Sequence, residues 1–275
     1  MFTVTKKVVL AVSLLAVLPS AQAHRQWLLP SSTQIEAKDA WVTIDAASSE
    51  DLFDFDNNAL PLDGLQITAP DGSAIAPESI AKTKFRNSAD IKLLQKGTYK
   101  VSVVSQNVMA NYTLKGEQKR WRGTEDKMAT EIPAEAKDVK VSRTYNRLDT
   151  FVTSGKPTDS VLKPVGQGLE LVALSHPNEL FAKEKSTFKV LFDGKPLANN
   201  VVTIVAGGVR YRGVLNEITA TTNAQGEFNV TWPFAAMYWL KLSYPAAPTM
   251  KAEGAPADTP EKRYSYAATL EVLPQ

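Results

Sequence analysis

Residues 99–104 read YKVSVV, a short stretch in which apolar and polar side chains alternate. Alternation with period two is typical of a β-strand that buries one of its faces. Similar stretches recur along the chain between turn sequences rich in Gly, Pro and Asp; they lie at 41–44, 65–68 and 188–192, with turns at 70–72, 96–97 and 193–194. The sequence therefore predicts an all-β fold, in which two antiparallel β-sandwich domains bury the half-apolar strands.

Two weaker features complete the predicted organisation. The best helical candidate, residues 77–82, would form only one or two turns. The segment 154–163 has the Gly, Pro, Thr and Asp content of a linker, and we place a domain boundary at the glycines that follow it. The prediction is an N-terminal β-sandwich domain over residues 24–165 and a C-terminal β-sandwich domain over residues 166–275.

The first 23 residues have the pattern of a cleavable signal peptide. Two lysines precede the apolar run 8–18, and Ala21-Gln22-Ala23 supplies the small residues that signal peptidase recognises. The apolar run has about 11 residues, which is too short for a membrane-spanning helix. We therefore expect cleavage after Ala23, export to the periplasm and no membrane span after cleavage; release outside the cell stays open.

Charge and cysteine content exclude several classes of function. The signal peptide contains two of the 31 basic residues and no acid, so the remainder carries 29 basic and 29 acidic residues. This balance gives no electrostatic basis for binding nucleic acid. The chain has no cysteine, which excludes disulfides, thiolate metal sites and a cysteine nucleophile.

The two histidines of the chain, His24 and His176, are the main candidates for metal ligands. Cleavage after Ala23 would leave His24 as the first residue, with its α-amine and ring Nδ1 able to chelate one ion. The imidazole of His176 would complete a three-nitrogen site, the arrangement known as a histidine brace. Such a site would bind Cu(II) most tightly, followed by Ni(II), Co(II) and Zn(II). Alternatively, His176 is a loop histidine bonded to a backbone carbonyl.

Two aspartates could add oxygen ligands. Asp54 and Asp56 alternate with Phe53 and Phe55, and in an extended segment both carboxylates would point to one face. They could hold a cation or complete a nitrogen site. The alternative is a loop in which the phenylalanines are buried and the acids are hydrated.

A family resemblance is carried by the opening HRQWLLP (24–30), together with 41–47 and 51–56. It resembles an uncharacterised periplasmic family described as NikM-like or nickel-uptake-associated (domain of unknown function 4198), in which the motif H-x-x-W-L-x-P follows the signal peptide. The stretches 193–204, 221–230 and 238–242 resemble transthyretin-like domains. The resemblance implies a transthyretin-like second half and an accessory role in uptake of nickel or cobalt.

A dense mixed-charge stretch lies between residues 115 and 147, around Trp121. Mixed charges usually face water, so a solvated loop or hairpin is expected there. A docking surface for a partner is the alternative.

Three hypotheses for function follow. The first is a non-enzymatic periplasmic protein that captures a divalent nickel, cobalt or copper ion at His24, His176, Asp54 and Asp56 and hands it to a membrane metal-uptake system. The second is a structural or adhesive binding module in which the histidines are incidental. The third is a copper-dependent oxidative enzyme with an N-terminal histidine brace, since copper monooxygenases that act on polysaccharides also begin with a histidine and are β-sandwiches.

Overall fold

The structure is a computed structural model that describes residues 25–245 and 261–275. The predicted signal peptide and His24 lie outside the described residues. The strands are β1 (Arg25–Pro30), β2 (Gln34–Ile35), β3 (Trp41–Ser49), β4 (Asn58–Ala59), β5 (Leu65–Thr68), β6 (Ala74–Ile75), β7 (Ser79–Lys82), β8 (Asn87–Lys92), β9 (Gly97–Leu114), β10 (Glu117–Gly123), β11 (Lys137–Ser154), β12 (Leu169–Ala173), β13 (Leu180–Phe181), β14 (Lys185–Phe192), β15 (Lys195–Pro196), β16 (Val201–Ala206), β17 (Ile218–Thr221), β18 (Glu227–Thr231), β19 (Ala236–Tyr244) and β20 (Lys262–Leu273). The helices are α1 (Glu125–Glu131), α2 (Val209–Arg212) and a 3-10 turn at Ser160–Leu162.

These strands form three sheets, and the predicted all-β sandwich class is confirmed. The N-terminal sheet has the order β1-β3-β8-β7, with β4 on β3. The central sheet has the order β17-β16-β19-β20-β11-β9-β5-β6, with β10, β13 and β2 attached at its sides. The C-terminal sheet has the order β12-β14-β15, with β18 on β14.

The N-terminal sheet packs against one part of the central sheet. Ile44 of β3 and Ile91 of β8 are fully buried against Val101 of β9 and Val152 of β11. The alternation in residues 99–104 therefore has the predicted meaning, because Tyr99, Val101 and Val103 all face this core.

The C-terminal sheet packs in the same way against another part of the central sheet. Phe188 and Val190 of β14 are buried against Ile204 of β16 and Leu240 of β19. The turn that connects β14 to β15 has positive φ at both central residues, 48° at Asp193 and 74° at Gly194. Such dihedrals are those of the tight hairpin turns that favour Asp-Gly, so the turn predicted at this position is present.

The two halves of the chain share one sheet. Residues 143–150 of β11 pair in parallel with residues 262–269 of β20, whereas the sequence predicts antiparallel sheets. A further apolar cluster joins Trp27 and Leu52 from the first half to Val205 and Trp239 from the second. The parallel pairing joins segments more than 100 residues apart in the sequence.

The segment 154–163 is packed rather than loose. The Thr158 amide donates to Thr98 Oγ1 and the Thr98 amide donates to Thr158 Oγ1, each at 3.0 Å. Val161 is buried, and Ser160 Oγ donates to the carbonyl of Pro70. These contacts fix the segment against β9.

The helix expected at 77–82 is wrong. Residues 79–82 form β7, an edge strand paired with β8, and all four of its residues are exposed. With no buried face, this strand has no alternation of apolar and polar residues from which its conformation could be recognised. The mixed-charge stretch, by contrast, forms the expected hairpin, in which β10 folds back on β9 and is followed by α1.

Candidate functional site

The described residues do not gather the predicted metal ligands into one place. His176 follows β12 near the 97–98 end of β9, whereas Asp54 and Asp56 lie in the loop between β3 and β4. We call residues 50–57 the acidic loop. His24, the remaining predicted ligand, precedes the first described residue.

Both ring nitrogens of His176 are engaged within the protein. Nδ1 accepts a hydrogen bond from the Asn178 amide at 3.1 Å. Nε2 lies 3.1 Å from Thr98 Oγ1 and 3.3 Å from the carbonyl oxygen of Thr158. Because Nδ1 accepts, the neutral ring carries its proton on Nε2 and donates it toward these oxygens. This is the arrangement of a loop histidine bonded to a backbone carbonyl, and metal ligation would require breaking it.

The start of β1 lies far from His176. The carbonyl of Gln26 accepts from Trp239 Nε1, and Gln26 borders the same small pocket as Arg147 of β11. His176 is bonded to Thr98, whose hydroxyl meets that of Thr153 at the other end of β11. From Arg147 to Thr153, β11 spans about 20 Å.

The start of β1 is instead tied to the acidic loop. Arg25 pairs with Ser49, and its Nη1 donates to the carbonyl of Glu50 at 2.8 Å. Trp27 lies edge-on to Phe53 and Phe55, with ring centroids 5.5 and 5.4 Å away. The phenylalanines thus anchor the loop through partly buried rings.

The two aspartates of the acidic loop have different surroundings. Asp54 Oδ2 is buried and accepts no hydrogen bond from any described residue. Its nearest cation is Arg210 Nη1 at 3.9 Å, which is too long for a hydrogen bond. Asp56 is exposed, and its Oδ2 lies 3.5 Å from the Asp51 amide. A cavity of about 420 Å³ adjoins the loop and is lined by Asp51 and Arg210. Asp54 Oδ2 is therefore a buried oxygen of this loop that has a long ion pair but no hydrogen bond from the described residues.

Within residues 25–245 and 261–275, no three or more His, Asp or Glu side chains are grouped so that they could hold a metal ion. A metal site at the acidic loop therefore needs donors from outside the described residues, and His24 is the candidate of suitable chemistry.

One polar cluster was missed by the sequence reasoning. Lys100 and Ser102 on β9, with Arg147 and Asp149 on β11, lie on the face of the central sheet opposite to the N-terminal core. The sequence does contain a signal for this cluster. Lys100 and Ser102, like Arg147 and Asp149, are two residues apart in a strand, and the residue between them is apolar.

A comparison with known protein families matches residues 21–246 to the family described as "Domain of unknown function (DUF4198)". The chain belongs to this family. The description of DUF4198 carries no activity, so the nickel-uptake role and the transthyretin-like second half stay predictions.

Comparison of this DUF4198 protein with solved structures finds distant likenesses. The D0-D1 domain of Intimin is 12% identical, with 89% of this chain and 96% of that chain covered and a TM-score of 0.22. The human OSCAR ligand-binding domain is 13% identical, with 91% and 100% covered and a TM-score of 0.21. At these TM-scores neither structure bears on the fold or function of this chain.

A comparison of this DUF4198 chain with curated proteins finds no match. In the part of the chain that the structure describes, no helix combines the length and apolar character that crossing a membrane requires.

Proposed function

We propose that this protein is a non-enzymatic periplasmic accessory protein that captures a divalent nickel, cobalt or copper ion for a membrane uptake system. The ion would bind at the mature N-terminus, where His24 offers its α-amine and ring nitrogen. The carboxylates of the acidic loop, Asp54 above all and Asp56 as a second candidate, would complete the site.

The observation that carries this proposal is the buried Asp54 Oδ2, which accepts no hydrogen bond from the described residues. A buried carboxylate oxygen without a partner is costly, and a bound cation would remove the cost. Two nitrogens and carboxylate oxygens suit first-row divalent ions, and the α-amine loses its proton to a metal at modest cost near neutral pH.

The position of β1 favours the acidic loop over His176 as the partner of His24. Residue 24 is one peptide, about 3.8 Å between Cα atoms, from Arg25, which is paired with Ser49 and bonded to Glu50. A ligand set of His24 and the acidic loop is supported by the hydrogen bond that already ties Arg25, the next residue, to this loop. A set that includes His176 requires the chain to bridge the roughly 20 Å of β11 between Arg147 and Thr153 and to break the bond from the Asn178 amide to the His176 ring.

The test is isothermal titration of the tag-free mature protein, starting at His24, with Ni(II), Co(II) and Cu(II). We expect an added N-terminal Gly-Ser to lower metal affinity about ten-fold or more, because it removes the α-amine from the chelate. Asp54→Asn should weaken binding as well, while Asp63→Asn, an exposed aspartate elsewhere, serves as the matched control and should not.

The same titration separates the two versions of the site. His176→Gln leaves affinity unchanged if the acidic loop supplies the remaining ligands, and abolishes tight binding if His176 completes a histidine brace. Unchanged affinity in the Gly-Ser protein would refute both versions and leave the binding-module hypothesis in place.

A further inference from the structure

A cleft of about 760 Å³ lies on the polar face of the central sheet, a volume typical of small-molecule sites. Its floor is formed by β9, β11 and β20, and the facing wall is formed by the segment 160–168. We call it the central cleft. It is separate from the acidic loop and from His176, neither of which lines it.

The central cleft is lined by three cations, Lys100, Arg147 and Lys163, and two buried carboxylates, Asp149 and Glu170, lie beside it. Arg147 Nε lies 3.0 and 3.1 Å from the two carboxylate oxygens of Asp149, which is buried. The same Asp149 Oδ2 accepts from the Tyr266 hydroxyl at 2.9 Å. Lys100 Nζ reaches this oxygen only at 3.9 Å. The other carboxylate that acts on Lys100 and Arg147 is that of Glu170, and it is also buried.

Lys100 is the cation left without a close partner. Its side chain is 13% exposed, and its ion pair with Asp149 Oδ2 is long, at 3.9 Å. Burial lowers the pKa of Lys100, while the carboxylates of Asp149 and Glu170 act in the opposite direction. An ammonium beside a cleft, with only a long ion pair of its own, can donate charge-assisted hydrogen bonds to a bound anion.

The wall of the cleft is held in place from behind. The buried carboxylate of Glu170 accepts from the amides of Val165 and Gly166, each at 2.8 Å. This pair of hydrogen bonds fixes the loop that faces Lys100, so the cleft is preformed.

The upper part of the cleft is apolar. Val104 on the floor is 37% exposed and Val165 on the wall is 63% exposed. Tyr264, stacked on Tyr145 with ring centroids 4.9 Å apart, forms one end. A ligand body that covered these side chains would remove apolar surface from water.

We propose that the central cleft binds a small organic anion. Its carboxylate or phosphate contacts Lys100 and Arg147, and its apolar body packs between Val104, Val165 and Tyr264. This site does not depend on the proposed metal site, and it gives the protein a second ligand.

The test is titration of the mature protein with three probes that share a benzene ring. Binding is measured by calorimetry and by the shifts of amide NMR signals. Benzoate and phenyl phosphate carry the anion, and benzyl alcohol is neutral. We expect one or both anions to bind and to shift amides of β9, β11 and 160–168, with benzyl alcohol at least about ten-fold weaker because it lacks the charge-assisted contacts. The stronger of the two anions identifies the head group.

Variants locate the binding. Lys100→Met keeps most of the side-chain length and should weaken anion binding about ten-fold, whereas Lys92→Met, at a lysine paired with Asp39 on the N-terminal sheet, should not. Val165→Trp alters an exposed residue, fills the apolar part of the cleft and should abolish binding. Thermal unfolding of each variant checks that it is folded.

Three results would overturn the proposal: no binding of either anion at millimolar concentration, equal affinity for benzyl alcohol, or undiminished binding by a folded Lys100→Met or Val165→Trp protein.

Discussion

At the scale of single residues, Asp149 is the side chain that holds the polar face of the central sheet together. It is 2% exposed, contacts Arg147 through both oxygens and accepts a hydrogen bond from the Tyr266 hydroxyl. A buried carboxylate of this kind is tolerated because each of its oxygens is paired. Tyr266 is itself fully buried, so its hydroxyl has no alternative partner in water.

The pair of Tyr266 and Asp149 predicts a pH dependence of stability. Burial raises the pKa of the Tyr266 hydroxyl well above its ordinary value, and the Asp149 carboxylate raises it further. The folded protein therefore keeps this proton where the unfolded chain releases it, above about pH 10. The stability linked to Tyr266 is complete below that pH and is lost as the pH rises above it.

The measurement is urea unfolding of the natural protein and of Tyr266→Phe. At neutral pH we expect Tyr266→Phe to lose about 2 kcal/mol, the value of a hydrogen bond to a buried carboxylate. At about pH 10.5 the difference in unfolding free energy between the two proteins should be smaller. Only the natural protein has the Tyr266 hydroxyl, whose contribution to stability is lost as the pH rises. A difference that stays constant with pH would contradict the assignment.

At the scale of elements, strand pairing depends on close backbone approaches that a glycine permits. Gly64 precedes β5, and its carbonyl accepts from the Val104 amide at 3.0 Å, where β5 begins to pair with β9. A Cβ at position 64 would lie 1.9 Å from the carbonyl oxygen of Val104. Since that atom belongs to the backbone of a central strand, it cannot rotate away.

We expect Gly64→Ala to lower the free energy of unfolding by about 3 kcal/mol, because β5 must move away from β9. Gly116→Ala is the control: its φ of +84° is strained for alanine, but the added Cβ has nothing within 4 Å, so its cost should be about 1 kcal/mol. Urea unfolding of both variants measures the two losses of unfolding free energy. Equal losses would contradict the claim that the close approach of Gly64 to Val104 excludes a side chain.

The elements also show what the sequence could and could not predict. The strands at 99–104 and 188–192 and the turn at Asp193-Gly194 follow from local rules, namely alternation and turn chemistry. The edge strand β7 does not, because its exposed residues carry no pattern. The partners of His176 could not be foreseen either, since Thr98 is 78 residues away in the sequence. Alternation did indicate that Lys100 and Ser102 share a face, yet the cleft above them requires the fold of 160–168.

At the scale of the whole molecule, the central sheet makes the two halves interdependent. The parallel pairing of β11 with β20 and the shared cluster around Trp27 and Trp239 would be exposed if either half unfolded alone. An opened β11 would also present an unpaired edge, which is a site for aggregation.

We therefore expect a protein that begins at residue 24 to unfold in one cooperative step. In scanning calorimetry the measured enthalpy should equal the van 't Hoff enthalpy, as for a two-state transition. Two resolved transitions would instead favour independent domains divided near residue 165.

The reciprocal bonds between Thr98 and Thr158 have a consequence for the resistance of the chain to proteases. Proteases cut where a segment can detach and thread into their active site, and polar connections between halves are their usual targets. Here both the amide and the hydroxyl of Thr158 are hydrogen-bonded to Thr98, at the start of the long strand β9. Nicking the connection would first require these bonds to open, so the segment that looks most vulnerable in the sequence is shielded from digestion.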